Sequence, residues 1–271
     1  MSAAIASLFD ARTLSIGRSR TIVELKNLWR SRQQFGFTIL FPVMMLLLFA
    51  SIFSGRVEGT EVQMSQLYVA GIIGSSLMST GFVALAIGLS VEREAGTLDR
   101  LAGTPMPKAS YFLGKVGMVL TTVAVQTVVL IAIGVVLFDL SLPTGIGRWA
   151  TFAWVFLLGV SASALLGIAV GGVIADAKSA PAVVNLPFVA LQFISGVWIG
   201  INLLPAWLVR VSQVFPLHWI CRGMRSVFLP DSFASVEADG AWQLGLCAIV
   251  LGAWCILGFV LCARTFRWTR R

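Results

Sequence analysis

An all-α integral membrane fold is predicted for this chain of 271 residues by three observations. The composition is 58% apolar and only 12% charged, with a mean hydropathy of +0.90, whereas soluble domains carry about 25% charged residues. Six stretches, five of them free of charge, each reach the ~20 residues that a helix needs to cross a hydrocarbon core. The net charge of +8 comes from 20 Lys and Arg against 12 Asp and Glu, and the basic residues are spread unevenly between those stretches. A soluble enzyme is excluded on these grounds.

Taken in order, residues 1–34 form a cytoplasmic N-terminus. They lack a continuous apolar run, so no cleavable leader is expected. Within residues 18–34, Ile22, Val23, Leu25, Leu28 and Trp29 alternate with Arg18, Lys26, Arg30 and Arg32. At helical spacing this gives an apolar stripe beside a basic face, the pattern of a helix lying in the inner headgroup plane. The transmembrane domain, residues 35–263, has spans at 35–54, 67–90, 111–137, 149–174, 181–201 and 242–263. Lys115 near one end of the third span is expected to snorkel to the headgroups. Residues 264–271 are a basic cytoplasmic tail.

Six spans place both termini on one side of the membrane. With the termini inside, 15 of the 20 basic residues are cytoplasmic and 5 are outside, namely Arg56, Arg148, Arg210, Arg222 and Arg225. The positive-inside rule therefore orients the chain, in the cell membrane, with both ends in the cytoplasm. It also accounts for the basic excess without nucleic acid, for which no separate basic domain exists.

What is missing narrows the function. No G-x-x-x-x-G-K-[ST] occurs, so the chain has no phosphate-cradling loop and binds no nucleotide cofactor itself. His218 is the sole histidine, which argues against a His-based metal or catalytic site and suits an interfacial polar residue. Cys247, Cys255 and Cys262 stand seven or eight residues apart on the last span, about 10–12 Å along its axis, too far to bridge. No Asp, Glu or Arg lies inside a span, against the ionisable groups that ion-coupled carriers hold at depth. The neutral Gln126, Asn185 and Gln192 are there instead, able to hydrogen-bond between helices. Gly167-x-x-x-Gly171 and Gly196-x-x-x-Gly200 point to tight helix packing.

Two segments carry more. Between spans two and three, Glu92, Arg93, Glu94, Asp99 and Arg100 surround Leu98 and Leu101, which share one helix face, and Pro105 disfavours helix at Thr104. A charged amphipathic helix of about two or three turns ending near Gly103 is expected, either a solvated turn or a docking element for a soluble partner. After span five the chain stays apolar but is interrupted by Pro205, Arg210, Pro216, Arg222 and Arg225. Short re-entrant helices dipping from the outer face fit this pattern, with Trp198, Trp207, Trp219 and the arginines at the outer interface.

Glu92-x-Glu94-x-Gly96-Thr97, then Leu101 and Thr104-Pro105, resembles the E-x-E-x-G-T-x-x-x-L-x-x-T-P signature of ABC-2 type permeases, and Gly114-Lys115 follows as in that family. Phe193-Ile194-Ser195-Gly196, Leu204-Pro205-Ala206-Trp207, Phe215-Pro216 and Arg222 or Arg225 resemble its second signature. The likeness runs over residues 20–264 and, in overall texture, is greatest to small efflux permeases of the daunorubicin-resistance kind. It implies a six-span permease subunit that pairs with a second permease, identical or paralogous, and binds two copies of an ABC ATP-binding subunit. ATP and Mg would sit on those partners. The family's coupling helix would comprise Glu92, Arg93, Glu94, Gly96, Thr97, Leu98, Arg100 and Leu101, its connecting helix residues 18–34, and its re-entrant segment residues 203–229.

The expected activity is ATP-driven export of an amphipathic drug, antibiotic or lipid-like molecule from among the membrane lipids. Substrate would pass near Ser75, Ser76, Met78 and Ser79 on span two and Asn185, Gln192 and Phe193 on span five. Export of a lipid-linked polysaccharide, and an ATP-independent channel or carrier, stay open as alternatives. A membrane-embedded enzyme is disfavoured, since no acid pair, His cluster or nucleophile constellation shares a depth.

Overall fold

The computed structural model describes residues 10–53, 55–174 and 176–265. Arg267, Arg270 and Arg271, counted with the basic tail, lie outside the described residues, as does the start of the N-terminal segment. The described residues are helical, with one isolated bridge between Arg56 and Gln63 and no sheet.

The N-terminal helix α1 (Ala11–Arg30) begins earlier and stops sooner than residues 18–34, because Ser31 leaves the helical region at φ −80°, ψ 75°. One face, with Ile22, Val23 and Trp29, is exposed, and the other buries Thr13, Gly17 and Glu24. The chain re-enters helix at once as α2 (Arg32–Ile52), which carries Pro42 within it. A helical run follows, α3 (Met64–Glu94), α-helical to Met78, with a π turn over Ser79–Ala84, then α-helical from Leu85.

Pro105 and Pro107 separate the short α4 (Thr97–Ala102) from α5 (Lys108–Phe138), which ends at Asp139 in the left-handed region, φ 49°. Then come α6 (Ile146–Gly171) and α7 (Ala180–Ile194). α8 (Ala206–Ser212) starts after Pro205, and α9 (Pro216–Phe228) has Pro216 in its first turn, where a missing N–H costs nothing. α10 (Leu244–Thr265) closes the chain.

Five of these helices, α2, α3, α5, α6 and α10, are long and apolar enough to cross a membrane. The fifth expected span is only 15 residues of helix in α7, about 22 Å, short of the ~30 Å core. Gly196, at φ 76°, turns the chain there, so Gly196-x-x-x-Gly200 is no helix-packing motif.

α3 is the centre of the bundle: it is mostly buried, whereas α2 and α10 are largely exposed. It can be so because α6 approaches its backbone directly. A Cβ on Gly171 would lie 2.7 Å from the Ala86 carbonyl oxygen, and one on Gly167 would lie 2.8 Å from that of Phe82. The Gly167-x-x-x-Gly171 pattern is thus a real interface, between α6 and α3. α2 and α10 turn Phe37, Leu40, Met44, Ile249 and Ile256 outward, an apolar belt that water would not tolerate but lipid does. The four cysteines are free.

Candidate functional site

The loop between α3 and α5 begins inside α3. Glu92, Arg93 and Glu94 are its last helical turn, and Gly96, at φ 67°, ends it and starts α4, a conformation that costs other residues energy. The single helix expected over residues 92–101 is therefore two pieces, with α4 under two turns long. Its expected end at Gly103 stands.

Glu92, Arg93 and Glu94 each hold a different neighbour. Glu92 accepts a hydrogen bond from the Tyr111 hydroxyl at 2.9 Å and pairs with Lys115, both on α5. Lys115 also pairs with Glu24 of α1 at 2.9 Å, and Arg20 pairs with Glu24 from the preceding turn at 2.7 Å. Lys115 is 4% exposed and Glu24 is 6% exposed. Lys115 does not snorkel: two carboxylates supply inside the protein what headgroups would supply outside it, and the pairing offsets the cost of burying charge.

Arg93 donates to the Gly172 and Gly171 carbonyls, at 2.7 and 3.3 Å, where the end of α6 concentrates partial negative charge. Glu94 accepts from the Ala177 N–H at 3.0 Å, in the connection to α7. On α4, Leu98 is buried and Leu101 half-buried, both packed on the bundle. Asp99 and Arg100 face outward, Arg100 reaching the Thr97 hydroxyl at 3.3 Å. A short exposed helix is in this way tied through one turn to α1, α5, α6 and the approach to α7.

Deeper in the bundle, Gln192 of α7 donates to the Ser75 hydroxyl at 2.8 Å and accepts from the Trp198 indole at 2.8 Å. Ser76 is turned to its own Ile73 carbonyl, Met78 is buried, and Ser79 opens the π turn half-buried. Beside it, Thr80 donates to Gln126, which donates in turn to the Thr38 carbonyl of α2. Asn185 and Phe193, also on α7, are exposed. Of the seven residues expected along a substrate path, the structure joins Ser75 and Gln192 by a hydrogen bond and leaves Asn185 and Phe193 exposed.

The segment between α7 and α10 holds what spacing alone did not reveal. Arg222 and Arg225, expected at the outer interface, are 0% and 1% exposed. Arg225 makes a two-pronged pair with Glu237, at 2.6 and 3.1 Å. Arg222 donates to the Ala241 carbonyl at 2.6 Å and to Asp239 at 3.2 Å. His218 is buried against the Ser212 hydroxyl at 2.9 Å, and Trp219 is buried too, while Trp207 stays exposed. The available signal was the two acids Glu237 and Asp239 just before the last helix, matching two arginines three residues apart.

Five helices long and apolar enough to cross a membrane, packed into one bundle around α3, define a multi-pass membrane protein. The model of the ABC-2 type transporter family matches residues 21–229, and the chain belongs to that family, as an ABC-2 type permease. It is similar to the probable multidrug ABC transporter permease YbhR of Escherichia coli strain K12, 22% identical over 171 residues, which are 62% of this chain and 46% of that one. The protein of the same name from E. coli O157:H7 matches equally. The chain thus aligns with about half the length of the curated relatives it matches.

Proposed function

We propose that this permease is the membrane half of an ATP-driven exporter of amphipathic molecules. Two copies, or this chain and a paralogue, would each contribute six membrane segments, α7 being the short fifth. Two ATP-binding subunits would dock at the inner face on α4, with ATP and Mg held by them. Substrate would cross between α3 and α7 of the pair, near Ser75, Ser76, Met78, Ser79, Asn185, Gln192 and Phe193, drawn from the lipid phase. The multidrug name of the relatives supports an amphipathic substrate.

The observation that carries the reading is the clasp. A push on the exposed side of α4 reaches α3 through one turn of chain, and α1 and α5 through Glu92, Lys115 and Glu24. Such a unit moves as one body, which coupling an external ATPase to the bundle requires. The test is co-purification with the ATP-binding subunit followed by ATPase assays in proteoliposomes. Glu92→Gln should leave the complex assembled while substrate-stimulated turnover falls at least about tenfold, the loss of one charge-assisted contact. Unchanged stimulation would contradict coupling through the clasp.

A further inference from the structure

Gly114 and Gly117 of α5 lie directly against Arg20 and Thr21 of α1, positions at which a Cβ would collide. C-terminal to that contact, a groove of about 420 Å³ opens between α1, the start of α2 and α5. Its walls include Leu25, Phe35, Ile39 and Val125, and its rim carries Lys26 and Arg30. Thr121 and Thr122 also line it, but their hydroxyls are bonded to the Gly117 and Met118 carbonyls one turn back. The walls therefore favour an apolar body, and the size falls in the range of about 300–1,000 Å³ typical of small-molecule sites.

The rim is of one sign. Glu24, the only acid of α1, is paired with Arg20 and Lys115. Among the described residues neither Lys26 nor Arg30 forms an ion pair. An occupant that fits both halves has an apolar chain and an anionic head. We infer that the groove seats an anionic glycerophospholipid of the inner leaflet, one acyl chain between Leu25, Phe35, Ile39 and Val125 and the phosphate on Lys26 and Arg30. The inference rests on the proposed position of α1 at the inner membrane face. It assigns that helix a bound lipid in addition to general surface attraction.

Trp29 lines the same groove and reports on it. The full chain would be reconstituted in phosphatidylcholine vesicles containing a small mole fraction of acyl-brominated phosphatidylglycerol or, in parallel, acyl-brominated phosphatidylcholine. The Trp29 signal is taken as the difference from W29F. Saturable quenching should favour the anionic lipid by roughly tenfold or more, as two basic residues near a surface imply. K26Q/R30Q, with an unchanged melting curve, should abolish the preference, and V125F should weaken quenching by both lipids.

Equal quenching by the two lipids, or a preference that survives K26Q/R30Q, would overturn the inference. So would displacement by inorganic phosphate, which would mean a headgroup site without a chain, or a disulfide between two V125C copies, which would mean that a second permease fills the groove. No ATPase takes part in this experiment, so its failure is distinguishable from failure of the coupling reading.

Discussion

Lys115 is a full charge held inside a helical bundle by partners far apart in sequence. Replacing it with Met strands Glu92 and loosens Glu24, and removing one member of a buried pair costs about 3–5 kcal/mol. K115M should therefore melt well below the parent protein in detergent, and K115M/E92Q should recover part of the loss. A parent-like melting curve for K115M would show that water already reaches the cluster.

On α9, Arg225→Lys keeps the charge but loses the two-pronged pairing with Glu237. A loss of roughly 1.5–3 kcal/mol is expected, the range for hydrogen bonds to charged groups, measured by thermal unfolding. That Lys115 lies near a span end was legible in the sequence. That Glu24, 91 positions away, would meet it was not, because a charge pair between helices depends on their packing angle and leaves no periodic trace.

Among the elements, α4 is small and half outward, so its exposed and buried sides can be tested separately. D99A/R100A should leave the melting curve within about 0.5 kcal/mol of the parent, as surface changes do, yet weaken capture of the ATP-binding subunit. Gly96→Ala places a side chain in the left-handed region at a cost of about 1–2 kcal/mol. It should reduce substrate-stimulated ATPase through the tilt of α4; full stimulation at normal stability would show that the turn has no coupling role.

The long helices were readable from apolar length alone, since lipid demands it. The split of residues 92–101 at Gly96 was not, because the charge pattern of Glu92 to Glu94 suits a solvated helix as well as the end of α3. Gly167 and Gly171 read correctly as close-packing residues, whereas Gly196 and Gly200 carry the same spacing in a turn. Spacing alone does not tell those cases apart; the helical context does.

For the molecule as a whole, the family places this chain among ABC-2 permeases, and the structure shows a central α3 gripped by α6 and clasped at its C-terminal end. Of the residues expected along a substrate path, Ser75 and Gln192 form an interhelical bond, and Asn185 and Phe193 are exposed on α7. That difference appears only once the packing is seen, since Asn185 stands seven residues before the buried Gln192 and so near the same helix face.

The central claim is that motion in this permease is driven from outside, through α4 and its clasp. The most direct measurement is extrusion of a fluorescent amphipathic dye from proteoliposomes holding the permease with or without its ATP-binding subunit. Extrusion that requires both the subunit and hydrolysable ATP, and that is lost in Glu92→Gln while the complex remains assembled, is the predicted result. Equal transport by this chain alone, without nucleotide, would contradict it.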